Sequence, residues 1–260
     1  MPNTVYSNFV LENKLEDQLT TKLNLSQLCT LDSSLTEDAG MLKKVHVYSG
    51  TGSVADVSQG VGNSADMTIA FTTHDYTVGV TQGRGVYYDE EALKDPFAID
   101  SLMNYMAEAM ANDFSSKVIT AMSGATQIQY SQTFTFDNIC DAIALFPEDD
   151  AKGGFLLINK AQLATLRKNL GEKLQYVEAF VRSGYVGTVC GFNVYVSNAV
   201  PSGDAYLGFA DAVTTFVKKG VEVEQERDAN LRKNSLYIRK VGLVALTRPN
   251  HIIKLTTAKS

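Results

Sequence analysis

The chain of 260 residues lacks most of the features that announce a chemistry. It has three cysteines, Cys29, Cys140 and Cys190, too few and too scattered to read as a disulfide framework, which points to a reducing compartment. Basic residues are outnumbered, 23 Lys and Arg against 29 Asp and Glu, for a net charge of -6. That balance argues against a nucleic-acid reader, whose affinity rests on clustered cations neutralising phosphates. Apolar runs such as Val241 to Leu246 fall far short of the ~20 residues of a membrane span. Met1-Pro2-Asn3-Thr4 carries no basic or apolar secretion signal, so a soluble, intracellular protein is expected. What the chain does have is a 45% hydrophobic share with 12 Tyr and 12 Phe, ample surface for a folded core.

Site chemistry is equally scarce. His46, His74 and His251 have no Cys, His, Asp or Glu at metal-ligand spacing on a common helix face. The glycines of Gly50-Thr51-Gly52 and of Gly79 to Gly85 lack the Lys-Ser/Thr pair of a phosphate loop, and read as flexible backbone at hairpin ends. Glu148-Asp149-Asp150 reads as a solvated loop, and Asp89-Glu90-Glu91 as a favourable acidic helix entry. Cys140 reads as packing on an apolar helix face, and neither Cys29 nor Cys190 has a neighbour that would make a thiolate. No enzyme site, cofactor site or metal site is visible.

The elements are clearer. Phe9, Leu11, Leu15, Leu19 and Leu23 form a narrow helical stripe on a terminal arm, which must dock on its own chain or on another. Val45, Val47, Val54 and Val57, then Met67, Ile69 and Phe71, alternate as strands around the glycine-rich Ser58 to Ser64. The apolar phase then moves to Tyr76, Val78 and Val80, so a bulge near Thr73 to Asp75, or a change of covered face, is expected. Such a hairpin is marginal alone and needs a surface to lie upon. Asp95 and Pro96 open a long helix whose face is Ile99, Leu102, Met103, Met106, Met110, Phe114 and Val118, ending near Ser123-Gly124.

A smaller-scale alternation follows. Thr135 or Asp137 caps a helix with Ile139, Ile143 and Leu145, ended by Pro147. Phe155 to Ile158 is a buried strand. Asn159 and Gln162 form a reciprocal cap for a helix ended by Gly171, and Glu172 to Val181 reads as another helix. Phe192 to Val196 is a strand and Pro201-Ser202-Gly203 a turn. Val221, Val223 and Gln225 alternate with Glu222, Glu224 and Glu226, an acidic stripe expected to pair across strands with the nearby basic residues. Leu236 to Leu246 and Ile252 to Leu255 complete an antiparallel return. The fold class is α+β.

This order resembles the major capsid proteins of tailed double-stranded DNA bacteriophages, the Hong Kong 97-type capsid fold. Phe155 to Arg167 (FLLINKAQLATLR), Val189 to Pro201 (VCGFNVYVSNAVP), Ala205 to Phe216 (AYLGFADAVTTF) and the closing Val221 to Leu255 carry the likeness. It implies an N-terminal arm at 1–44, an extended loop at 45–85, a peripheral domain with the spine helix at 86–130, an axial domain at 131–217 and returning peripheral strands at 218–260. It further implies self-assembly through hexamers and pentamers into an icosahedral shell around double-stranded DNA, without sequence-specific contacts, in a virion assembled in the bacterial cytoplasm. A portal and a separate scaffolding protein would be partners, since the arm is too short to be a fused scaffold unless the chain is already processed. Candidates for contact between subunits are Phe9, Leu15, Leu19, Val54, Val57, Met67, Ile69, Phe71 and Tyr76. Some members of that family cross-link a Lys of the extended loop; here no Lys lies between Lys44 and Lys94, so no such bond is expected. The runner-up is an encapsulin-type nanocompartment shell, and a soluble α+β enzyme ranks third.

Overall fold

A computed structural model describes residues 11, 15, 25–36, 40–63, 65–95, 97–131, 133–146, 153–173 and 187–257. Its strands are β1 (Thr30–Asp32), β2 (Leu42–Thr51), β3 (Thr68–Thr77), β4 (Gly79–Tyr88), β5 (Gln127–Tyr130), β6 (Phe155–Ile158), β7 (Thr188–Val189), β8 (Phe192–Val196), β9 (Asp204–Gly208), β10 (Val213–Asp228), β11 (Lys233–Leu246) and β12 (Ile252–Thr256). The helices are α1 (Asp89–Lys94), α2 (Ala98–Ser123), α3 (Phe136–Ile143) and α4 (Lys160–Lys173). They build a four-stranded sheet in the order β1-β10-β11-β4, a six-stranded sheet in the order β5-β12-β9-β6-β8-β7, and a separate two-stranded ribbon, β2-β3.

Helix α2 is the spine that joins the two larger sheets. Its 26 residues, at about 1.5 Å each, span roughly 39 Å. Met103, Met106, Ala107, Met110 and Ala111 recur at helical spacing and pack on Val223, Leu236 and Ile238 of the four-stranded sheet. One end further on, Val118, Ile119 and Met122 pack with Phe155, Leu157, Tyr206 and Ile252 of the six-stranded sheet. The Asp95 carboxylate accepts from the Phe97 amide at 2.9 Å, so it braces the lead-in turn while the helix itself starts at Ala98. Pro96 lies outside the described residues.

The six-stranded sheet is covered on both faces, and strand alternation divides the work. Leu156, Ile158, Ala205, Leu207, Ile253 and Leu255 face Ile139, Ala142, Leu166 and Leu170 of α3 and α4. Phe155, Leu157, Tyr206 and Ile252 face the other way, toward the spine. Two-sided burial is why β6 reads as an unbroken apolar run. Thr135 caps α3 by accepting from the Asn138 amide. At α4 the expected reciprocal cap is present: the Gln162 side-chain oxygen accepts from the Asn159 amide at 2.8 Å, and the Asn159 side-chain oxygen accepts from the Ala161 amide at 3.1 Å. Helix α4 runs through Gly171 to Lys173, and most of the helix expected at Glu172 to Val181 lies outside the described residues, as do Pro147 and Glu148-Asp149-Asp150.

In the four-stranded sheet the acidic stripe pairs as its spacing implied. Arg239 donates to Glu222 at 2.7 and 2.9 Å and reaches Glu224 at 3.7 Å, while the Tyr237 hydroxyl donates to Glu226 at 2.9 Å. Hydrogen bonds from Lys219 and Arg239 hold the Glu222 carboxyl below the usual glutamate range. At the acidic helix entry, Asp89 accepts from Asn234 at 2.6 Å and Arg227 at 2.9 Å, and Glu90 meets Arg232 at 2.9 Å. The run of acids therefore clasps the β10–β11 turn.

Four expectations need correction. Gly79 to Gly85 is no flexible hairpin end but strand β4, paired with β11 from Gly79↔Gly242 to Tyr88↔Lys233. A Cβ at Gly85 would stand 2.6 Å from the Met106 sulfur, so glycine there lets the sheet approach the spine, and a Cβ at Gly83 would stand 3.0 Å from its cross-strand partner Ile238. The last strand, β12, does not join the returning strands: it lies in the six-stranded sheet, antiparallel to β9 and parallel to β5. Boundaries shift accordingly, because β5 and β12 belong with the α+β unit while β10 begins at Val213 in the other sheet. Finally, Cys140 is not merely packing: it forms a disulfide with Cys190 across a Cα–Cα distance of 6.3 Å.

Candidate assembly interface

Two residues of the arm's stripe have partners in this chain. Leu11 and Leu15 are fully buried against the spine, in one cluster with Met103, Met106 and Ile238. Leu25 and Leu28 fill the next cluster along, and Leu35 a third beneath the ribbon. Leu15 was a candidate contact between subunits; its partners are in its own chain, because the methionine face of the spine offers the apolar groove its stripe requires. Phe9 and Leu19 lie outside the described residues.

The ribbon behaves differently. Strands β2 and β3 pair without a register shift from Leu42↔Thr77 to Thr51↔Thr68. Ten residues each, at about 3.4 Å per residue, carry it roughly 34 Å. Its root is anchored. Val45, Tyr76 and Val241 rim a core of Leu35, Val78, Phe216, Leu243 and Ala245. The Tyr76 hydroxyl donates to the Leu246 carbonyl at 3.2 Å, and burial pushes its pKa up. The Lys43 ammonium lies 5.0 Å over the Phe216 ring. Above the root a cleft of about 500 Å³ separates Val45 and Val47 from Pro249 and His251, and the ribbon leaves the body.

Alternation gives that ribbon two unlike faces. Lys43, Val45, Val47 and Tyr76 turn toward the chain's own body and are half-buried. The opposite face carries His46, Tyr48, Ile69 and Phe71. Tyr48 and Phe71 are each 62% exposed and Ile69 74%. Tyr48 and Phe71 are cross-strand partners with ring centroids 6.0 Å apart, and His46 meets Phe71 edge-on at 5.4 Å. Met67 and the tip residues Val54, Val57 and Val61 extend the exposed apolar surface. Exposed apolar residues grouped in this way are a feature of interaction sites in general.

The expected phase change is thus explained. There is no bulge in β3; odd residues Ile69 and Phe71 face outward, while Tyr76 faces the body and Val78 leads the chain into β4. Covering has changed, not pairing. Tyr76 is accordingly a root residue, held by its own chain. Val54 and Val57 are exposed but sit among the tip residues 52–63 instead of in a strand. Met67, Ile69 and Phe71 are exposed. Tyr48 and His46 were missed, since only the register shows that they stand opposite Phe71 and Thr73.

The chain is thus a two-sheet body crossed by one spine helix, with an exposed apolar ribbon. The family model described as phage capsid protein matches residues 73–255. The major capsid protein of Staphylococcus phage phiMR11 is 24% identical over 256 residues, covering 95% of this chain and 92% of that one. The capsid of the native GTA particle matches with a TM-score of 0.72 at 12% identity, over 92% of this chain and 91% of that one. The holo-SrpI encapsulin complex of Synechococcus elongatus matches with a TM-score of 0.64 at 12% identity, over 100% of this chain and 92% of that one. The fold is the Hong Kong 97-type capsid fold. The chain belongs to the phage capsid protein family.

Proposed function

We propose that this chain is the major capsid protein of a tailed phage or prophage, and that its copies assemble as hexamers and pentamers into an icosahedral shell around double-stranded DNA. The observation that carries this reading is the outward face of the ribbon, with Tyr48, Ile69 and Phe71 exposed on a strand pair that its own body does not cover. A second copy supplies the missing apolar surface, and repetition of that contact closes a lattice. The net charge of -6 suits the role: a lining that gripped phosphates tightly would hinder packing and release of DNA. A separate scaffolding protein and a portal are the partners such a shell needs, with assembly in the host cytoplasm.

One observation favours a second reading, an encapsulin-type nanocompartment: the encapsulin shell shares the fold over the whole chain. It ranks below because the matching family model is that of phage capsids. Electron microscopy of particles made in the infected or induced host, with nuclease digestion, separates the readings. DNA-filled, nuclease-resistant shells are expected. Shells filled with protein would favour the compartment, and small oligomers alone would overturn both.

A further inference from the structure

The bond between Cys140 and Cys190 sits at a mechanically weak place. Cys190 is the first residue of the two-residue turn joining β7 and β8, and both it and Gly191 have left-handed φ, 47° and 85°. That hairpin turn prefers Asn, Asp or Gly at its first position. The turn therefore does not account for a cysteine there; the partner on α3 does. Strand β7 has two residues and forms the outer edge of the six-stranded sheet. Short edges with few hydrogen bonds open first. The bond ties this edge to α3, whose Ile139 and Ala142 are buried, and closes a segment of 50 residues that contains β6 and α4. Both cysteines are half-buried, and Cys190 packs at the rim of the core. The third cysteine does not compete, since burial pushes the Cys29 thiol up to about 12.

We propose that Cys140 and Cys190 form a conditional staple, open as thiols while the subunit is in a reducing compartment and closed by a low-molecular-weight disulfide in oxidising surroundings. The α+β unit then hardens after assembly and not during folding; this timing rests on the capsid reading above. The exchange balances. One cysteine thiolate attacks the small disulfide RSSR, breaking its S–S bond and releasing RS⁻. The second cysteine thiolate attacks the mixed disulfide, forming the Cys140–Cys190 bond and releasing the second RS⁻. The two cysteine protons end on two RSH, and the two electrons lost by the protein reduce RSSR.

The test uses the full chain made in a bacterial cytosol and quenched in acid with N-ethylmaleimide, beside native purified protein treated with oxidised glutathione. Peptide mass mapping is expected to find Cys140 and Cys190 labelled at the quench and joined to each other after oxidised glutathione. The thermal midpoint of the oxidised subunit should exceed that of the dithiothreitol-treated one by about 5–10 °C. A Cys140→Ser/Cys190→Ser variant should melt with the reduced protein whatever the oxidant; the reduced wild type gives the same comparison without any substitution. A bond already present at the quench, no bond after oxidant, or a bond that leaves melting unchanged would each overturn the proposal. All readouts are taken on subunits, so micrographs without shells would remove the capsid reading and leave this result standing.

Discussion

Ile69→Asp/Phe71→Asp is expected to give a folded subunit that no longer assembles. Both side chains are exposed in the isolated chain, so the two replacements together should change subunit stability by only about 1 kcal/mol. In a lattice contact the loss is much larger. Burying a Phe or Ile contributes about 1.5–3 kcal/mol, and a carboxylate forced into the same apolar contact is further penalised. About 3–6 kcal/mol per contact corresponds to a rise of at least a hundredfold in the concentration needed for assembly. Light scattering would follow assembly and far-UV circular dichroism the fold. Normal particle formation by this variant would mean that the outward face is not an interface.

The largest effect on the subunit itself is expected from the smallest substitution, Gly154→Ala. A Cβ there would stand 2.1 Å from the Phe192 ring. That ring cannot swing aside: it is fully buried, stacks on Phe146 at 5.8 Å and meets Phe209 at 5.9 Å. The added methyl must move either β6 or the aromatic cluster. Overpacking of this kind destabilises by about 3 kcal/mol, which lowers the melting midpoint of a domain this size by roughly 6–12 °C. Gly50→Ala is the control, because nothing lies within 4 Å of a Cβ at that position. Thermal melts of dissociated subunits would compare the two, and equal midpoints would contradict the packing argument.

The parts of the fold that were legible from sequence are those set by local periodicity. The face of α2 that carries Met103, Met106, Met110 and Val118, the reciprocal cap of Asn159 and Gln162, and the alternation of Val221, Val223 and Gln225 with three glutamates all depend on neighbours within a few residues. The parts that were not legible depend on what arrives from far away. Glycine in Gly79–Tyr88 signals a turn unless one knows that Met106 and Ile238 will press against it. Ile252–Thr256 alternates like any strand, and nothing local says that it inserts between β5 and β9. Cys140 and Cys190 are 50 residues apart and meet only through the packing of α3 on the sheet edge.

The candidate interface divides the same way. An apolar stripe states that a partner is needed, not whose it is. For Leu15 the partner is the chain's own spine; for Ile69 and Phe71 the body offers none. Tyr76 shares a strand with Phe71 but points to the other face, where Leu246 receives its hydroxyl. Tyr48 joins the exposed patch only because the hairpin register sets it beside Phe71. Parity along the strand was readable; which face the body would cover was not.

Hydroxyl-radical footprinting of assembled and dissociated protein addresses the ribbon most directly. In free subunits Tyr48, Met67 and Phe71 should be oxidised readily, as their exposure requires. In particles a neighbouring copy should shield them and lower their labelling, as expected of side chains moved into a packed interface. Identical labelling of the three residues in both states would show that the outward face meets no neighbour, and would contradict the account.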